Sequence, residues 1–237
     1  RATLGVDGTA LLELDERAAL PPRSPEETGL FHTAFLVPDR AALGDALARV
    51  ETNWDLSGAS DHLVSEALYL DDPEGNGVEL YCDRPRAEWT AHEDGRIDMD
   101  TLPLALSPIR EAAAGADGAP PETTVGHVHL EVSDVEAARA FYVEELGLAV
   151  TATYGADAIF LAAGGYHHHV GANTWTRRSA PGEGRGLDWF ELVVPDEATR
   201  EAAVERLARA GREPTRTDGA IAVADPNGIE VRLRVAE

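Results

Sequence analysis

Three stretches of this chain align with one another without a gap: HTAFLVPD from His32, HVHLEVSD from His127 and WFELVVPD from Trp189. Each is an apolar, strand-like run ending in Val-x-Asp. Each is followed by a helical pattern: AALGDALARV, VEAARAFYVEELG and EATREAAVERLARAG. A repeat on this scale constrains the fold more than any composition does. Each copy is one supersecondary unit that cannot bury its apolar face alone and must pack against another. The Asp before each helical pattern is the expected N-cap, because its carboxylate can accept from the unpaired N–H groups of the first turn.

Two further elements repeat. Asp72-Pro73-Glu-Gly-Asn-Gly-Val-Glu79-Leu and Asp225-Pro226-Asn-Gly-Ile-Glu230-Val each read as a turn leading into a strand that carries Glu at its second residue. ATLGVDGTALLEL from Ala2 matches AIFLAAGGYHHHVG from Ala158, each two strands around a Gly turn. The predicted order is a partial unit and then three full βαβββ units, an α+β chain. By comparison with the His127 unit, roughly 30 to 40 further residues are expected ahead of Arg1. The expected domains are residues 1–84 (partial first module plus second), a linker over 85–124 that covers a surface and ends in a flexible segment, and 125–237 (third and fourth modules). If GGYHHHVG is a strand, alternation sets Tyr166, His168 and Val170 on one face and His167 and His169 on the other. Matching the Gly turns then aligns His168 with Leu11 and Glu13, pointing inward.

Charge narrows the partners. Asp and Glu number 43 against 20 basic residues, all of them arginine, for a net charge of −23. A polyanion would be repelled, which argues against nucleic acid. The acids are spread along the whole chain, which suits a general surface adaptation to a high-salt cytosol. No apolar run approaches the ~20 residues of a membrane span. The single cysteine, Cys82, allows no internal disulfide and fits a reducing cytoplasm.

The segments GLFHTAFLVPDR, GASDHLVSEALYLDDPEGNGVELYCDRPRAEW, VGHVHLEVSD with AFYVEELG, and GGYHHHVGANTW together resemble the vicinal oxygen chelate superfamily. It includes glyoxalase I, bleomycin-resistance proteins and extradiol dioxygenases. The order of motifs is most similar to its bacterial catechol 2,3-dioxygenase-like branch. The resemblance implies paired βαβββ modules forming two half-barrel domains, the first module truncated. It implies metal ligands from the first and last strands of modules, in dioxygenases two His and one Glu on Fe(II) with positions open for substrate and O₂. Carried over, it nominates His32 and Glu79 in the second module, and His127 and Glu230 in the third and fourth.

Neither half is complete by that rule. The N-terminal pair lacks a first-strand ligand, and Trp189 stands where the C-terminal half would carry its second His. Indole N–H is a donor only and cannot ligate, so His127, His168 and Glu230 form the expected replacement triad. His129 shares a face with His127 and, with Trp189, is a candidate for contact with substrate. The resemblance further implies that Tyr69 contacts a substrate hydroxylate and that His62 serves as acid or base. The leading expectation is an extradiol-type dioxygenase acting on a small catechol-like aromatic and O₂. Fe(II) is the expected metal, with Mn(II) or Zn(II) as alternatives, and a homo-oligomer is among the expected assemblies. Two other readings stay open: glyoxalase-like isomerase or lyase chemistry on Zn²⁺ or Ni²⁺ with Glu13 involved, and a metal-free binding protein for aromatic compounds.

Overall fold

The computed structural model describes residues 1–236 and is mixed α and β, in two compact units. The first comprises residues 1–19 and 31–129, the second 20–30 and 130 onward.

The first unit opens with a hairpin, β1 (Ala2–Val6) and β2 (Thr9–Leu14). Asp7 and Gly8 turn it with φ of 48° and 83°, the left-handed pair that a two-residue hairpin needs. A full βαβββ module follows: β3 (Gly29–Leu36), α1 (Arg40–Asn53), β4 (Gly58–Asp61), β5 (Ser65–Asp71) and β6 (Gly77–Asp83). Asp39 caps α1 as expected, its carboxylate accepting from Ala42 N at 2.9 Å. The next stretch carries β7 (Leu102–Pro103) and α2 (Leu106–Ala112), then β8 (Thr124–Glu131). α2 lies against α1 so closely that a Cβ on Gly44 would overlap the Ile109 carbonyl. Ile109 is fully buried with Leu43, Leu47, Leu68 and Cys82. The strand order is β7-β4-β5-β6-β3-β8.

In the second unit a helix (α3, Val135–Arg139) runs on as a π-helix over Ala140–Glu145, then β9 (Ala149–Tyr154), β10 (Ala158–Ala162) and β11 (Val170–Asn173) follow. With β8 ahead of them these make the third module, of βαβββ order. The fourth is β12 (Trp189–Val194), α4 (Glu197–Arg209), β13 (Thr215–Thr217), β14 (Ala220–Ala224) and β15 (Glu230–Val235), a four-stranded sheet in the order β12-β15-β14-β13. Asp134 and Asp196 cap their helices as Asp39 does. The two Asp-Pro turns are also alike: Asp72 Oδ1 accepts from the backbone of Glu74 and Asn76, and Asp225 Oδ1 from that of Asn227 and Ile229.

The histidine run departs from expectation. His167, His168 and His169 lie outside any strand, in the connection between β10 and β11. Gly164 and Gly165 both take φ near +65 to +70° (66° and 69°) and fold the chain back, so that His169 N donates to the Leu161 carbonyl at 2.8 Å. Alternation therefore fails: the Tyr166 ring meets both His167, at 4.0 Å, and His169, at 5.0 Å. Among the described residues no helix is long and apolar enough to cross a membrane.

Candidate metal centre

β3 pairs in parallel with β6, placing His32 opposite Gly77 and Ala34 opposite Glu79. A side chain at 77 would overlap the Phe31 carbonyl and press on the His32 Cβ, so glycine lets the strands close here. β5 pairs antiparallel with β6 and sets Tyr69 directly across from Glu79. β8 flanks β3 on the other side. Its alternation turns His127 and His129 to one face.

These pairings bring three side chains to one point. His32 Nε2 lies 2.9 Å from Glu79 Oε2, His127 Nε2 lies 3.3 Å from the same oxygen, and the two Nε2 atoms are 3.3 Å apart. All three residues are buried. Burial alone would push the Glu79 carboxyl up; the charges of His127 and His32 and their hydrogen bonds overcome this and hold it well below the usual carboxylate range. Among the described residues this is the one group of His, Cys, Asp and Glu whose donor atoms converge as metal ligands would.

The triangle suits a divalent ion. Ligands about 2.1 Å from an octahedral metal and at right angles to each other lie about 3.0 Å apart. Two imidazole nitrogens and one carboxylate oxygen on one face are the donor set of non-haem Fe(II) sites. His127 rests against the Tyr81 ring, centroids 5.0 Å apart, and His32 against Phe31 at 5.3 Å. A Cβ on Gly126 would overlap the Tyr81 hydroxyl, so this glycine makes room for that ring.

Beside the triad runs a hydrogen-bonded chain. The His62 Nδ1–H donates to the Asp100 carbonyl at 2.7 Å, since a carbonyl can only accept. That leaves the Nε2 lone pair of the neutral ring for the Tyr69 hydroxyl, 2.6 Å away. Burial first, then the nearby charge of Glu79, hold Tyr69 protonated far above the usual phenol range. His129 stands edge-on to His32 at 5.0 Å and to Phe31 at 5.2 Å. Burial, reinforced by His32 and His127, holds its pKa well below the ordinary imidazole value, so it is neutral at pH 7.

The other nominated residues lie apart from this group. His168 is buried with its Nδ1 2.7 Å from that of His167 and its ring against Phe160. Glu230 accepts from Arg232 Nε at 2.6 Å, and Arg232 in turn stacks 3.8 Å above Trp189, which lies opposite Glu230 in the parallel β12–β15 register. An acid already held by an arginine two residues on, and an indole already covered, are a self-contained surface pair. Glu13 meets Arg1 at 3.4 Å. Cys82 is buried and its thiol is pushed up to about 12, which makes it inert. Three contributors had escaped notice in the sequence. Tyr81, two residues from Glu79 on the same strand, shares its face by alternation, whereas Phe31, adjacent to His32, and the Asp100 carbonyl carry no such signal.

Modules of βαβββ order around a two-His, one-carboxylate site define a class, and the comparisons agree. The chain belongs to the glyoxalase/bleomycin resistance protein/dioxygenase superfamily, whose sequence profile matches residues 124–233. It is 42% identical over 236 residues to the catechol-2,3-dioxygenase of Bacillus subtilis (strain 168), covering 95% of this chain and 82% of that protein. Biphenyl-2,3-diol 1,2-dioxygenase 3 of Rhodococcus globerulus is 31% identical over 105 residues, 43% of this chain and 55% of that one. The crystal structure of a putative dioxygenase from Bacillus subtilis superposes with a TM-score of 0.58 at 16% identity. It covers 87% of this chain and 62% of its own length, and carries the likeness of fold. On this kinship the chain is an enzyme of the extradiol-dioxygenase type, and that kinship implies a divalent metal.

Proposed function

We propose that this chain is a ring-cleaving extradiol dioxygenase for catechol-like aromatics, with Fe(II) held by His32, Glu79 and His127. The observation that carries the reading is the buried triangle of donor atoms with the His62–Tyr69 chain beside it. Bound there, the iron would bring catechol and O₂ to one centre and supply the redox chemistry that the side chains lack.

The chain's own residues do the rest. His62 carries its hydrogen on Nδ1, so Nε2, which faces the Tyr69 hydroxyl, is the nitrogen that takes a catechol hydroxyl proton and returns it when the ring opens. Tyr69, held protonated by its surroundings, offers a hydrogen bond rather than a charge and orients the substrate oxygen. The neutral imidazole of His129 supplies a second uncharged polar contact. Phe31 and Tyr81 wall the site with ring faces and exclude water, which strengthens each polar contact inside it. The acidic, arginine-only composition and the single cysteine support a cytoplasmic enzyme of a high-salt cell.

The test is metal content and turnover together. Protein prepared anaerobically with Fe(II) is expected to hold one iron per chain and to consume O₂ when given catechol. His32→Ala, Glu79→Gln and His127→Ala should each lose the iron. A wild type that binds no transition metal would overturn the reading in favour of a binding protein for planar aromatics.

A further inference from the structure

His62 stands on a turn with an unusual backbone. Leu63, the next residue, has φ 69°, a left-handed conformation that a bulky L-residue holds only when its surroundings impose it. Leu63 is itself 40% exposed, so packing of its side chain does not impose it. Asp61 does. Its Oδ1 accepts from the Leu63 N–H at 2.9 Å, and its Oδ2 takes Arg84 NH2 at 2.6 Å. Arg84 is anchored in turn: its NH2 meets Glu66 Oε1 at 3.1 Å, and its backbone N–H donates to the Val64 carbonyl at 2.8 Å, inside the same turn. The His62 N–H closes the turn on Ser65 O at 2.9 Å. Asp61 and Arg84 are each about one-quarter exposed (24% and 25%), so their ion pair adds little to global stability. What it fixes is local: the backbone from which the imidazole projects toward Tyr69.

We propose that Asp61 and Arg84 are positioning residues for His62, holding the left-handed turn so that, with the Asp100 carbonyl at Nδ1, the ring keeps one tautomer and aims Nε2 at Tyr69. The proposal rests on His62 being the base of the reaction proposed above. Neither residue touches the reacting atoms. Loosening the turn leaves the metal triad intact and lets the ring rotate.

The experiment compares the wild-type full chain with Asp61→Ala and Arg84→Gln. The His62 tautomer is read at pH 8 by long-range ¹H–¹⁵N correlation on Zn(II)-loaded protein, and kcat and KM for catechol are read on Fe(II)-loaded protein. The wild type is expected to show a single Nδ1–H tautomer, and both variants a mixture. Their kcat should fall about 10- to 100-fold with KM and iron content unchanged. Asp61→Asn, which keeps the acceptor for the Leu63 N–H, should recover part of the loss. A folded variant that retains the wild-type tautomer and kcat overturns the proposal. If both charge variants fail to fold, the milder Asp61→Asn decides, because it keeps the acceptor for the Leu63 N–H and removes only the charge that holds Arg84. A mixed tautomer there supports the proposal, and a wild-type tautomer overturns it. If the wild type shows no turnover with catechols, the proposed function fails, and the tautomer comparison still decides the role of the clamp.

Discussion

Gly126 makes the sharpest single-residue case. Its missing side chain accommodates the Tyr81 hydroxyl, and the Tyr81 ring in turn backs His127. Gly126→Ala should therefore cost about 1–3 kcal/mol through overpacking, and it should weaken metal binding as well, because the displaced ring no longer supports a ligand. Urea unfolding and metal titration of the same variant check both effects. His129 and Glu79 give a pH signature in chelator-treated protein. An imidazole held below its unfolded pKa of about 6.5 takes up its proton more readily in the unfolded chain, so stability is lost as pH falls below that value. Glu79, also depressed, adds a loss of the same sign below about 4.5. The urea midpoint should thus decline between pH 7 and 5.5, and His129→Phe should flatten that segment; an unchanged slope would remove His129 from the account. At this scale the sequence was informative about type and silent about partnership. A carboxylate on the apolar strand around Glu79 stood out as costly unless held, but nothing near Tyr69 in the chain marks Asp100 as the group that sets the His62 tautomer.

At the level of elements, the caps were the most legible feature. Asp39, Asp134 and Asp196 each precede an apolar-periodic run, and each accepts backbone N–H groups of the first helical turn. Asp39→Ala should destabilise the first unit by about 1 kcal/mol, with Asp39→Asn near neutral, as read from thermal or urea unfolding. The histidine run was misread for a physical reason. Periodicity registers which residues are apolar or polar, but not the backbone sign change that two adjacent glycines permit. With Gly164 and Gly165 both left-handed, the run doubles back: His167 and His169 pack on Tyr166, and His168 packs on Phe160. The ligand grouping was hidden for a second reason. His32 and His127 are 95 residues apart, and their meeting depends on which strand lies beside β3. The repeat nominates both residues, yet it is equally compatible with several ways of pairing modules. Strand adjacency is decided by tertiary packing, which a local pattern cannot encode.

For the molecule as a whole, the governing quantity is the net charge of −23 on 237 residues. Many arginines are already committed to specific acids, such as Arg110 to Glu51, Arg212 to Glu145 and Arg234 to Glu191. The excess acids therefore repel one another across a surface on which 43 acids face 20 basic residues. Folding concentrates this charge, and the unfolded chain spreads it out, so self-repulsion opposes the folded state. Salt shortens the range of that repulsion from about 10 Å at 0.1 M to about 3 Å at 1 M. The melting temperature should accordingly rise steeply as KCl is taken from 0.1 to 2 M. Replacing exposed acids that lie away from the metal centre, Glu93, Glu122 and Glu201, with glutamine should raise the melting temperature at 0.1 M and shrink the gain from added salt. The two arms separate screening from a general salting-out effect. Salting-out would stabilise wild type and variant alike, whereas screening requires the benefit to diminish as the charge is removed. A melting temperature that ignores salt would show that the acidic surface is a composition bias without a bearing on stability.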